Sequence, residues 1–203
     1  MIVVKLGGTN GSGKTSVARA LLEMGSQHGD PYPQFNEKGT KVKANLIKID
    51  GKQWVILGSY VNVCGGMDTI SDKVERIALI EEYLKRNDID VVFFEGLITG
   101  KTYGAIGEIS ERPWDSWLYA FMDTPFEECV SRVRRRRRGK GNEAPFDAER
   151  TMRPTFKSVK AVALRAATAG HTVYHVPYQL KPAQAASGLV IAAHALINKQ
   201  VQL

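Results

Sequence analysis

The opening residues, MIVVKLGGTNGSGKTS, constrain the fold more than any other stretch of the chain. Ile2 to Leu6 is a short, mostly apolar run rich in β-branched residues, as expected of a strand buried inside a parallel sheet. Gly8 to Thr15 then reads G-x-x-x-x-G-K-T. Behind it, Val17, Ala20, Leu21 and Met24 recur at helical spacing, and Gly25 is placed to end that helix. Strand, glycine loop and helix together form a phosphate cradle. Glycines let the backbone turn several N–H groups toward an anion, and the helix adds its positive end. Gly8, Thr9, Asn10, Gly11, Ser12, Gly13, Lys14 and Thr15 are therefore the expected nucleotide-binding residues. In such a loop the lysine reaches the β- and γ-phosphates and the Thr hydroxyl coordinates Mg²⁺. ATP and Mg²⁺ are the expected cofactors.

The rest of the chain alternates strands and helices. HGDPYPQFNEKG reads as a loop. Two β-rich runs flank Asp50-Gly51, a strong hairpin signal. A helix follows over about 71–86, with Val74, Ile77, Ala78 and Leu84 as its expected buried stripe. DIDVVFFEG and WLYAFMDT read as further buried strands, and Pro125 opens a helix at a favoured position. Another helix is expected over about 155–169, then a strand at HTVYHVP and a closing helix from PAQAASG onward. The expected fold is α/β: one P-loop kinase-like domain over residues 1–203, with a parallel sheet flanked by helices, a β-hairpin insertion and an arginine-rich lid.

Charge narrows the function. The net charge is +7, yet Arg132, Arg134 to Arg138 and Lys140 alone supply seven cations in one acid-free segment. The other 21 basic residues balance 21 acidic ones, so the body of the protein is neutral. A protein that coats nucleic acid broadly spreads its cations; this one concentrates them. No apolar run approaches the length needed to cross a bilayer, and the N-terminus has no signal-peptide pattern. Cys64 and Cys129 are too few for a disulfide framework. The cytoplasm is the expected compartment.

Among P-loop proteins, a GTPase carries an N-K-x-D segment, and none occurs here. The layout suits a small kinase, with an acid-ended middle strand and a late arginine segment. Glu95 ends VVFFE, where ligand sites of parallel sheets lie. It is placed to orient Mg²⁺ or to take a proton from an acceptor hydroxyl; the plain alternative is a strand-end carboxylate. Asp68 follows two glycines and reads either as a site residue or as the cap region of the next helix. Asp50 is a turn residue, and Asp123 reads first as a cap. Five adjacent arginines repel one another on a plain surface helix. As a lid, Arg134, Arg136 and Arg138 neutralise charge on a transferring phosphoryl, with Gly139 and Gly141 as hinges, and the surplus fits a polyanionic acceptor. Arg112, Arg150 and Arg153 are further phosphate contacts or surface charges. His28, His171, His175 and His194 form no catalytic pattern. Trp54, Trp114 and Trp117 read as core; Tyr60 reads as core or as a platform for a base.

Four pieces carry a resemblance: KLGGTNGSGKTS, LGSYVNVCGGMD, VVFFEG and DTPFEECVSRVRRRR. With them the chain resembles the thymidylate-kinase-like P-loop kinases of bacteriophages, and most of all the 5-hydroxymethyluracil DNA kinases of DNA hypermodification. The resemblance spans most of residues 1 to 140. It implies ATP-dependent phosphorylation of the hydroxymethyl group of a modified pyrimidine already in DNA, preparing a leaving group for later enzymes and helping viral DNA evade restriction. It carries over Gly8 to Thr15 for ATP, and Asp68 and Glu95 as site residues. The acceptor signature of true thymidylate kinases is absent after the middle strand, where EGLITG stands. The implied partners are DNA containing 5-hydroxymethyluracil and other DNA-modification enzymes. The runner-up functions are a deoxynucleoside monophosphate kinase and a non-catalytic ATP-dependent DNA-binding accessory.

Overall fold

A computed structural model describes residues 1–27, 29, 31–36, 39–61, 65–70, 72–96, 116–139, 141 and 147–201. Its strands are β1 (Ile2–Gly7), β2 (Tyr32–Phe35), β3 (Val42–Ile49), β4 (Lys52–Leu57), β5 (Val91–Glu95), β6 (Ser116–Asp123) and β7 (Thr172–Pro177). Its helices are α1 (Lys14–Ser26), α2 (Lys73–Leu84), α3 (Phe126–Arg138), α4 (Ala148–Thr168) and α5 (Pro182–Val201). The strands form one sheet in the order β2-β3-β4-β5-β1-β6-β7. From β4 to β7 the pairing is parallel; β3 runs antiparallel to both β4 and β2. All the parallel strands thus end at one edge, where the glycine loop begins.

The sheet is covered on both faces, which is why β1 and β5 are apolar along most of their length. Ile2, Val4 and Leu6 pack with Val17 and Leu21 of α1 and Ala186 and Leu189 of α5. Val3, Val92 and Trp117 pack on the other face with Leu79 of α2 and Val162 of α4. Burying side chains of this size contributes roughly 1.5–3 kcal/mol each. A third cluster joins Phe126, Cys129 and Val133 of α3 to Ala148 and Met152 of α4. Among the described residues no helix is long and apolar enough to cross a membrane.

The α/β architecture and the hairpin match expectation. Asp50 and Gly51 both have positive φ, 47° and 76°, as a tight two-residue hairpin turn requires. Four local expectations differ. The proline-rich stretch read as a loop contains β2, an edge strand, and Pro33 is tolerated there because an edge strand has spare donor positions. Val74 and Ala78 face solvent; the buried residues of α2 are Arg76, Leu79, Ile80 and Tyr83. Helix α4 starts before Pro154, at Ala148, because Asp147 caps it by accepting from Arg150 N at 2.9 Å. Finally, Gly25 lies inside α1 rather than ending it.

Gly25 is there for closeness. A Cβ at this position would lie 2.6 Å from Cβ of Ile47 on β3. Gly25→Ala is therefore expected to cost about 1–3 kcal/mol of stability. Denaturant unfolding tests this, and a variant as stable as the parent would show that α1 and β3 have slack.

Candidate active site

The glycine loop folds as its sequence demands. Gly11 and Gly13 sit at φ 78° and 102°, in the left-handed region that favours glycine. Gly11 has a second reason. A Cβ there would lie 2.4 Å from the carbonyl oxygen of Cys129, so α3 crosses directly behind the loop. Thr124 at the end of β6 donates its hydroxyl to Ser12 O at 2.9 Å and fixes the loop from the same side. Gly13 is also the cap residue of α1 and has no side chain to occupy the helix's positive end.

Lys14 is buried, and its ammonium donates to Gly8 O at 2.9 Å and Thr9 O at 3.2 Å. Burial lowers its pKa, and the charges of Glu95 and Asp68 pull it back up. Next to it, the Thr15 hydroxyl donates to Glu95 Oε1 at 2.9 Å, tying the first turn of α1 to the end of β5. Glu95 is only 2% exposed. Burial pushes its carboxyl up to about 7, against the opposing pull of Lys14 and the Thr15 hydroxyl.

The two glycines before Asp68 have a structural cause. A Cβ on Gly65 would lie 2.7 Å from the carbonyl oxygen of Ser59, and one on Gly66 would lie 2.6 Å from Glu95 Oε1; facing them, one on Gly58 would lie 2.2 Å from the carbonyl carbon of Gly66. The end of β4 and the 65–69 segment therefore cross almost in backbone contact, and Ser59 and Gly66 form a bridge. This crossing carries Asp68, on a single 3₁₀ turn, to the wall of the same pocket. Asp68 is not the cap of α2; that is Asp72, which accepts from Val74 N at 2.8 Å.

The pocket has a volume of about 520 Å³ and runs from Asp68 and Glu95 along Asn10 to Thr15, then between α3 and the segment after β7. At that far end it is lined by Arg132, Arg136, Tyr178 and Leu180. The arginine run is helical, packed by Cys129, Val130 and Val133. Helical period decides which arginines point in: Arg132 and Arg136, four apart, line the pocket. Of the three expected at the phosphoryl group, only Arg136 is among them. Arg134 points the other way, to Glu149 at 3.4 Å, and Arg138 is exposed at the helix end. Gly139, the C-cap of this helix, keeps right-handed helical geometry at φ −62°. Arg132 also pairs with Glu128 at 2.7 Å. The sequence reading missed Arg132, Tyr178 and Leu180; the helical spacing of Phe126, Cys129, Val130 and Val133 was the signal available for the first.

Other expectations resolve simply. Tyr60 is buried with its hydroxyl on Leu57 O at 3.2 Å, while Arg19 donates to the Tyr60 carbonyl, so the ring is packing and no base platform. Asp50 is in its turn. Trp54 and Trp117 are core. Asp123 lines a separate cavity on the α4 side of the sheet. Arg153 lies 4.5 Å over the Phe126 ring and near Glu149, away from the pocket. His28, Cys64, Arg112, Trp114, Lys140 and most of EGLITG lie outside the described residues. The oxygen donors Thr15 and Glu95, side by side under the loop, fit Mg²⁺, which takes one or two protein oxygens and completes its shell with phosphates and water.

Comparison with known proteins agrees with this geometry. The family model for 5-hmdU DNA kinase matches residues 2–172. A protein of Pseudomonas phage M6 named 5-hmdU DNA kinase is 28% identical over 161 residues, covering 69% of this chain and 74% of its own. One of Pseudomonas phage PaMx11 with the same name is 27% identical over 173 residues, covering 83% and 86%. The 5-hmdU DNA kinase 1 of Salmonella phage ViI is 30% identical over 138 residues, covering 65% and 58%. A match over so much of the chain, on a P-loop fold whose lysine, threonine and acids converge, establishes that this protein belongs to the 5-hmdU DNA kinase family.

Proposed function

We propose that this protein transfers the γ-phosphoryl group of ATP to the hydroxymethyl oxygen of 5-hydroxymethyluracil in DNA, a step in viral thymidine hypermodification. The observation that carries the reading is the meeting of Lys14, Thr15, Asp68 and Glu95 in one pocket beside the glycine loop. The loop amides and Lys14 hold the triphosphate, and Arg136 reaches it from α3. Arg132 and Tyr178 bound the end of the pocket farthest from the acids, where the base of the nucleotide fits, since a guanidinium and a phenol ring both stack on a purine.

In the transfer, the acceptor oxygen bonds to the γ-phosphorus as the bond to the β–γ bridging oxygen breaks. ADP leaves and the hydroxyl proton passes to a carboxylate. Asp68 suits that role, standing on the pocket wall away from the loop; Glu95 holds Thr15 and the metal side. Thr15 and Glu95 would hold Mg²⁺, which would supply positive charge to offset that of the phosphates.

The test is a label partition. Protein is incubated with γ-labelled ATP, 5-hydroxymethyluracil DNA and a panel of free deoxynucleoside monophosphates in one reaction. Label in the polymer is the expected result. Label in the free nucleotides instead would make this a nucleotide kinase, and label in neither would leave only an ATP-dependent accessory.

A further inference from the structure

We propose that a groove between the β2–β3 edge and the 3₁₀ turn carries the DNA strand that flanks the target nucleotide, as a single strand. This inference rests on the kinase reading above, because it takes the acceptor to be a polymer.

The groove has a volume of about 540 Å³ and is lined by Phe35, Lys41, Lys43, Val61, Thr69 and Glu75, among others. Its position follows from strand direction. β4 ends at the active-site edge, so antiparallel β3 begins there and β2 ends there. Phe35, the last residue of β2, is paired with Val42, the first of β3. Asn36 ties the described ends of the turn between them: its side-chain oxygen accepts from Thr40 N at 2.8 Å and Lys41 N at 3.1 Å. This turn stands beside the site, not remote from it. Thr69 lines both the groove and the nucleotide pocket, and the neighbouring Asp68 lines the pocket. A strand leaving the acceptor position passes over Thr69 into the groove.

The lining has the chemistry of single-strand recognition. Such sites combine aromatic faces, on which bases stack regardless of sequence, with cations that track the phosphates. Phe35 is 53% exposed and Val61 81% exposed, unusual for large apolar side chains flanking a polar site. Lys41 is exposed at the groove's rim. Lys43 lies 3.7 Å from Glu75, so its charge is partly spent within the protein and Lys41 is the main phosphate contact. A free mononucleotide has no use for this surface; a polymer does.

The test compares two ligands. One is a labelled single-stranded oligonucleotide with one central 5-hydroxymethyluracil, long enough to fill the groove; the other is a trinucleotide with the same central base. Binding is followed by fluorescence anisotropy over a salt series. Phe35→Ala is expected to weaken oligonucleotide binding roughly tenfold and leave the trinucleotide unchanged. Phe35→Trp is expected to restore it. Lys41→Gln is expected to flatten the salt dependence of oligonucleotide binding by about 0.7 in log–log slope. Turnover of the trinucleotide should be that of the parent in all three variants. Parent-like oligonucleotide binding in Phe35→Ala overturns the proposal, as does equal weakening of both ligands or failure of tryptophan to restore. Loss confined to an Arg134→Gln, Arg135→Gln variant overturns it too, routing the strand along α3. If the parent transfers phosphate to neither ligand, the kinase reading fails, while the binding comparison still decides the groove.

Discussion

Lys14→Met is expected to reduce phosphoryl transfer by about 10³-fold or more, without unfolding the protein. The side chain is the one buried cation on the glycine loop, and its ammonium lies on the carbonyls of Gly8 and Thr9, between the loop and Glu95. A preorganised donor of this kind, in a site that excludes water, contributes about 10²–10³-fold on its own, and a full positive charge on a transferring phosphoryl contributes more. The sign on stability is opposite. Burial lowers the Lys14 pKa, so the fold disfavours the charged form, and a cation of this kind costs stability at pH values below its folded pKa. Methionine removes that cost, so the melting temperature at neutral pH should hold or rise. Steady-state kinetics beside a thermal melt test the pair of signs. A variant that loses activity only because it melts would leave Lys14 with no demonstrated role.

Glu95→Gln is expected to lower kcat by roughly 10²–10³-fold and to stabilise the protein above neutral pH. Glutamine keeps an oxygen to accept from the Thr15 hydroxyl but carries no charge. Burial is the main cause that raises the Glu95 carboxyl from 4.5 to about 7. Folding therefore favours its protonated form. The stability it contributes is fully present below pH 4.5, declines as pH rises, and is lost above about 7. The difference amounts to roughly 3 kcal/mol at most, which is what Glu95→Gln should recover at alkaline pH. Activity runs the other way. On the proposed reading the ionised carboxylate is the working form, so the parent's kcat/KM should climb as pH rises through about 7 and then level off, and the variant should lack that limb. Asp68→Asn separates the two acids: it is expected to lower kcat with the affinity for ATP intact, whereas Glu95→Gln weakens both. Lys14 is also coupled to this titration. It lowers the Glu95 pKa, so in Lys14→Met the limb should move to higher pH.

The fold of the glycine loop was legible because its signals are local: eight adjacent residues, a strand before and a helix after. The hairpin was legible for the same reason, since Asp50-Gly51 encodes its turn in two residues. What was hidden depends on contacts between distant segments. Nothing near Gly25 says that Ile47 will press on it, so it read as a helix end. The buried stripe of α2 was misplaced because a charged residue occupies its first position. Arg76 is buried with its guanidinium donating to the Ile70 carbonyl, and hydrophobic periodicity passes over such a residue. The glycines before Asp68 signalled close approach, but not that the Ser59 carbonyl, the Glu95 carboxylate and the Gly58 backbone would be what approaches them. The arginine run showed its charge but not its phase. Only the packing of Cys129 and Val133 sets Arg132 and Arg136 toward the pocket and Arg134 toward Glu149.

The most direct measurement is the identity of the product. 5-Hydroxymethyluracil DNA is incubated with ATP, Mg²⁺ and the protein, digested by nuclease to nucleotides without phosphatase, and read by mass spectrometry. A phosphate monoester on the hydroxymethyl group, formed by the parent and missing from the Lys14→Met reaction, is the expected result. Unmodified hydroxymethyluracil nucleotide throughout, or the same phosphate monoester from Lys14→Met as from the parent, would contradict it.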